Sequence, residues 1–120
     1  MALGRRGEDL AHRYLERRGM MVVARNWQPS AGKGEIDVVA WEGERLVFVE
    51  VKSREREDFG APERNVDSEK RQALVRAARN YARRAGVAWE RARFDLVSVV
   101  FSDPPAITHW QDAFRPNRTL

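Results

Sequence analysis

The sequence predicts an α/β sandwich: a mixed sheet with helices packed on it. Three observations carry this expectation. The chain reads in the order helix, three strands, helix, strand, short strand. The strands around "IDVVAW" and "LVFVEV" are apolar on both alternating faces over most of their length, as a strand covered on both sides must be. Each helical stretch has one apolar stripe and one charged side. At 120 residues the chain is long enough for one domain, 1–120, around one core.

The first helix is "LGRRGEDLAHRYLERRG". Leu3, Gly7, Leu10, Ala11, Tyr14 and Leu15 recur at helical spacing, with Arg6, Asp9, Arg13, Glu16 and Arg17 on the other side. Gly19 is a stop signal. Met20 to Trp27 reads as a strand, and Pro29, Gly32 and Gly34 mark the loop after it. Two strands follow, joined by a tight turn. The stretch "EREDFGAPERN" has no periodicity, so it is a long connection, either functional or mobile. Asp67 or Ser68 can cap a second helix that runs to about Ala85 and stops at Gly86. Leu74, Ala77, Ala78, Tyr81, Ala82 and Ala85 form its inner stripe. Ala92 to Phe101 is the next strand, and "AITHW" is a short last one.

The two central strands carry the chemistry. By alternation Glu35, Asp37, Val39 and Trp41 share one face, and so do Leu46, Phe48, Glu50 and Lys52. Gly43-Glu44 fits a two-residue type II′ turn, which wants glycine at its first central position. Glu42 then faces Arg45, Asp37 faces Glu50, and Glu35 faces Lys52. Two like charges across a ladder are unfavourable by about 0.2–1 kcal/mol even in water, and by more when buried. Lys52 neutralises part of this. A hard divalent cation would neutralise the rest, polarise a phosphodiester and acidify water. The alternative is an ion-pair cluster at a sheet end. Glu8 turns to within about 20° of Leu15 on the first helix, at the edge of its buried stripe. It can reach the sheet, or simply favour the helix dipole.

Composition narrows the field. Hydrophobic residues make up 42% and charged residues 33%, a globular rather than a disordered balance. There is no cysteine, which excludes disulfides, thiolate zinc sites and a thiol nucleophile. Two histidines, His12 and His109, are too few and too far apart for a zinc motif, and neither is assigned a catalytic role. No apolar run approaches the roughly 18 residues of a membrane span, and the first residues lack the apolar centre of a signal peptide. A cytoplasmic protein without a membrane partner is expected. The net charge is +4 and arginine dominates it, Lys33, Lys52 and Lys70 being the only lysines. Such a surface suits nucleic acid, and equally a heat-adapted or GC-rich source. Arg5, Lys70, Arg71 and Arg76 are the candidate phosphate contacts, or a solvated face. The four tryptophans read as packing residues rather than base-stacking platforms.

The blocks "GRRGEDLAHRYLERRG", "GEIDVVA", "LVFVEVKSR", "FGAP", "RFDLVSVV" and "ITHWQDAF", in that order, resemble the YraN family of small bacterial proteins. That family in turn resembles the restriction-endonuclease-like PD-(D/E)xK superfamily, in its Holliday junction resolvase-like branch. The resemblance covers nearly the whole chain. It implies a restriction-endonuclease-like three-layer sandwich and Mg²⁺- or Mn²⁺-dependent hydrolysis of DNA, including branched or junction DNA. It implies catalytic roles for Glu8, Asp37, Glu50 and Lys52. The cation would be held by Asp37, Glu50 and the Val51 backbone carbonyl, with Glu35 of the GEID block a further candidate. The superfamily proline before the aspartate is Ile36 here. A homodimer would match the two-fold symmetry of a junction. The alternative is a nucleic-acid-binding protein on a nuclease fold without turnover.

Overall fold

The fold is built on the hairpin. In the computed structural model, which describes residues 3–32, 34–55 and 66–116, strands β2 (Ile36–Glu42) and β3 (Arg45–Arg54) pair antiparallel. Their partners run from Glu42↔Arg45 to Val38↔Val49. The turn between them has Gly43 at φ 58°, and Glu44 is not among the residues at positive φ, as the type II′ reading requires. Strand β1 (Met21–Trp27) adds antiparallel to β2, β4 (Ala92–Val100) adds parallel to β3, and β5 (Ala106–Phe114) adds antiparallel to β4. The order is β1-β2-β3-β4-β5, a mixed sheet.

One helix covers each face, which makes a three-layer α/β sandwich. Helix α1 (Leu3–Arg17) lies on one face, where Ala11, Leu15 and Met20 pack with Val38, Ala40, Val47, Val49, Val97 and Val99. Helix α2 (Ser68–Ala85) covers the other, where Leu74, Ala77, Ala78 and Ala82 pack with Val39, Leu46, Phe48, Phe94 and Leu96. The alternation of β2 and β3 thus feeds two separate cores. Asp67 caps α2 by accepting from the Lys70 N–H at 3.0 Å, and Gly86 closes it in the left-handed region. Tyr81 is half-buried, with its ring edge-on to Trp27 at 5.2 Å and to Phe48 at 6.0 Å. Burial pushes its phenol above the usual value. Ala85 is exposed rather than part of the stripe. All four tryptophans are partly buried against the α2-side core. Among the described residues no helix is long and apolar enough to cross a membrane.

The last strand is longer than the sequence suggests. It continues past Trp110 to Phe114 because β5 bulges opposite Asp95: Leu96 faces Trp110, yet Phe94 faces Phe114. Asp112 sits in the bulge at φ 52°, and its N–H donates to Asp95 Oδ1 at 3.0 Å. Asp95 is fully buried. It also takes two hydrogen bonds from Arg93 at 2.9 Å each and meets His109 Nε2 at 2.8 Å. Tyr14 of α1 meets His109 Nδ1 at 3.1 Å, and Arg93 reaches Glu42 at 2.8 Å. A buried polar chain thus ties α1 to β4 and β5.

Candidate functional site

Two glycines bring the helices to the ends of the central strands. At Gly34, φ is +108° and a Cβ would lie 2.6 Å from the Ala73 carbonyl oxygen of α2. The chain therefore enters β2 pressed against α2, two residues before Ile36. At Gly7 a Cβ would lie 1.8 Å from Ser53 Oγ, so the N-terminal part of α1 rests on the last residues of β3. Glu8 follows directly. The ends of β2 and β3 thus meet the N-terminal turns of both helices.

Past Val38↔Val49 the ladder ends in a side-chain contact. The Val51 N–H donates to Asp37 Oδ2 at 2.8 Å instead of to a strand carbonyl. Asp37 is also hydrogen-bonded to Glu50, which is 3% exposed. Two carboxyls in contact cannot both be ionised cheaply. Burial, then the charge and hydrogen bond of Glu50, push the Asp37 carboxyl up to about 8; the Val51 N–H works the other way, and Glu8 adds a smaller push upward. Lys52 lies two residues beyond Glu50, half-buried on the same strand face.

A second group sits alongside. Asn26, at φ 50° on β1, donates through Nδ2 to Glu8 Oε1 and to Glu35 Oε1, both at 2.9 Å. Gln28 Nε2 donates to Glu35 Oε2 at 3.1 Å. The guanidinium near Glu8 is that of Arg25, at 3.5 Å, while Arg5 is exposed on the helix. Glu8 and Glu35 are therefore joined through Asn26, and Glu8 is felt at Asp37 as charge.

The expected phosphate contacts separate into three behaviours. Arg76 is exposed. Arg71 lies over the Phe114 ring at 4.9 Å and donates to the Val66 carbonyl at 3.3 Å. Lys70 turns into the site, with its ammonium on Glu50 Oε2. That carboxylate is buried, and the ammonium is its counter-ion. Contact with Glu50 outweighs partial burial and holds the Lys70 ammonium above its ordinary value. The Phe59-Gly60-Ala61-Pro62 loop lies outside the described residues.

Sequence reasoning missed Asn26 and Gln28, and it placed Lys70 on the outer face. One signal was present: Arg25-Asn26 interrupts the apolar run of β1, which puts a polar side chain where a strand face should be apolar.

A metal centre fits in chemistry. Asp37 and Glu50 supply hard oxygen donors, and the pair holds a proton that a divalent cation would replace. Among the described residues no group of three or more His, Cys, Asp or Glu side chains is gathered around one point. A cation here would rest on two carboxylates, a backbone carbonyl and water or phosphate, as Mg²⁺ sites commonly do. A cleft of about 710 Å³ lies elsewhere, among Arg45, Arg79, Trp89 and Arg115. It is about 17 Å away along β3. Its guanidiniums are mostly engaged already: Arg79 lies over Trp89 at 4.5 Å and Arg115 pairs with Asp112 at 2.8 Å.

Related proteins match this chain over most of its length. A relative in Solibacter usitatus is 58% identical over 111 residues, 92% of this chain and 84% of its own length. One in Rhodococcus jostii is 43% identical over 116 residues, 95% of this chain and 97% of its own. One in Dictyoglomus turgidum is 36% identical over 115 residues, 96% of this chain and 94% of its own. Each is named as a UPF0102 protein. The family model described as uncharacterised protein family UPF0102 matches residues 7–99. That span runs from the glycine that seats α1 on β3, through Asp37, Glu50, Lys52 and Lys70, almost to the end of β4: the chain belongs to the UPF0102 family.

Proposed function

We propose that the protein is a divalent-cation-dependent nuclease that hydrolyses phosphodiester bonds in DNA, branched or junction DNA being the preferred form. One observation carries this reading. Two carboxyls from adjacent strands touch at a sheet end, and together they hold more negative charge than the site tolerates without a proton or a cation. Asp37, Glu50 and the Val51 carbonyl would hold Mg²⁺ or Mn²⁺. The cation, when bound, supplies Lewis-acid chemistry at the phosphodiester.

The chain's own groups do the rest. Asp37 is fixed by the Val51 N–H, so its second oxygen keeps a set direction. Lys52 follows Glu50 on the same face, where an ammonium can orient water or meet charge developing on the phosphoryl group. Glu8 adds negative charge near Asp37 and is held by Asn26 and Arg25. The net charge of +4 favours the approach of a polyanion.

The test is a Mg²⁺ and Mn²⁺ titration over linear, branched and junction DNA, with RNA as a comparison. Asp37→Asn and Glu50→Gln should each abolish cutting while the protein still melts cooperatively. Cutting retained in both variants refutes the mechanism.

A second reading, binding without turnover, is favoured by the Lys70 ammonium on Glu50, which already neutralises part of the site. It predicts affinity that falls steeply with salt, no cleavage, and equal or tighter binding by Asp37→Asn.

A further inference from the structure

We propose that Lys70 is a built-in counter-ion of this site: its ammonium holds the side of Glu50 that a divalent cation would take, so that cation and lysine compete for one carboxylate. The inference rests on the cation site of the proposed function and adds a residue to it.

The geometry singles out Lys70 among the basic residues at the start of α2. The Asp67 side chain is used on the Lys70 backbone N–H, at 3.0 Å, which fixes where the helix starts. Ala73 and Leu74, one turn further along the helix, offer no carboxylate. The Lys70 side chain instead leaves its own helix and crosses to the sheet. The two partners differ sharply in exposure, the Lys70 side chain being 56% exposed and that of Glu50 3%. The buried partner therefore depends on the exposed one, which can leave.

A lysine suits this task better than an arginine. An ammonium is a compact charge on a flexible stem, with no planar fork to lock it onto a carboxylate. The contact agrees: one ammonium neutralises Glu50 Oε2 without the paired, planar grip of a guanidinium. A divalent cation offers that oxygen twice the charge and a directed bond. The displaced ammonium then stands beside the site, where a phosphate oxygen of the substrate can take it. Before that exchange, Lys70 screens Glu50 from an approaching polyanion.

The experiment measures Mn²⁺ binding by the 120-residue chain at pH 7.5, using the paramagnetic resonance signal of free Mn²⁺. It compares the natural protein with Lys70→Met and Asp37→Asn. Removing the competitor should tighten Mn²⁺ binding by about tenfold, the scale of one charge-assisted contact. Asp37→Asn should lose binding. Mn²⁺ bound equally well or more weakly by Lys70→Met overturns the inference and leaves the nuclease reading standing. Mn²⁺ bound by neither the natural protein nor Lys70→Met overturns both.

A second measurement reads the natural protein and uses a variant only to assign a signal, one that keeps a positive charge at position 70. The chain has only three lysines, so ¹³C-dimethylated protein gives few methyl signals. The Lys70 signal, identified with Lys70→Arg, should shift on adding Mg²⁺. A Lys70 signal that stays in place while Mg²⁺ binds overturns the competition.

Discussion

Replacing Asp37 with asparagine should stabilise the cation-free protein at neutral pH and leave it unchanged near pH 4. The Asp37 carboxyl ordinarily titrates near 3.8, and the fold pushes it up to about 8, first through burial and then through the charge of Glu50. The folded chain therefore keeps a proton that the unfolded chain releases between those two values. Where the folded state binds more protons, stability falls as pH rises. Asp37 costs nothing below about pH 3.8, and its cost grows through the window up to about pH 8. At 1.36 kcal/mol for each pKa unit, the upper bound is about 4 kcal/mol at pH 7. The nearby ammonium and solvent relaxation bring the expected cost to about 1–3 kcal/mol. Asparagine can still accept from the Val51 N–H but cannot ionise. Asp37→Asn should therefore raise the melting temperature by about 4–12 °C at pH 7 in EDTA. The gap should close by pH 4 and widen by pH 8.5. Adding Mg²⁺ should raise the natural protein and not the variant. A variant that melts below the natural protein at pH 7 in EDTA, or a gap that does not change with pH, would refute the reasoning.

Three further outcomes are expected. Gly34→Ala should lose about 2–4 kcal/mol, because the new Cβ meets the Ala73 carbonyl in a backbone conformation that alanine avoids; urea denaturation measures it, and an unchanged midpoint would rule out the close approach. Gly7→Ala should cost about 1–2 kcal/mol, and adding Ser53→Ala should recover at least half, since the worst contact is with Ser53 Oγ. Asp95→Asn should cost about 3 kcal/mol. Burial opposes the charge on Asp95, but hydrogen bonds from His109, Arg93 and the Asp112 N–H outweigh it and hold the carboxyl below its ordinary range. Its stabilisation is present above pH 3.8 and lost as pH falls, so the variant should show a flatter acid limb in a pH series of urea melts.

The hairpin was the most legible part of the sequence. Its turn demanded glycine at one position, and that choice fixed every pair up to Val38↔Val49. The caps of α2 were legible for the same reason, since Asp67 and Gly86 answer local backbone needs. What depends on distant partners was not. The last strand read as ending at Trp110 because a bulge breaks the alternation beyond it, and that bulge brings the Asp112 N–H to Asp95 on another strand. Asn26 fell unremarked inside the first strand, yet it bridges two glutamates from different elements. Lys70 shows a further limit: a helical wheel places its Cβ, while its four-carbon stem carries the charge elsewhere.

Gly7 and Gly34 have a joint consequence. One seats the first helix on the far end of β3, and the other lets the approach to β2 lie against the second helix. Glu8, Asp37, Glu50 and Lys70 consequently belong to three different layers and meet only where all three are docked. A chain on the ribosome or in a half-folded state has the sheet's acids without their companions from the helices. Whatever reactivity these groups possess is thus withheld until the last piece of the fold is in place.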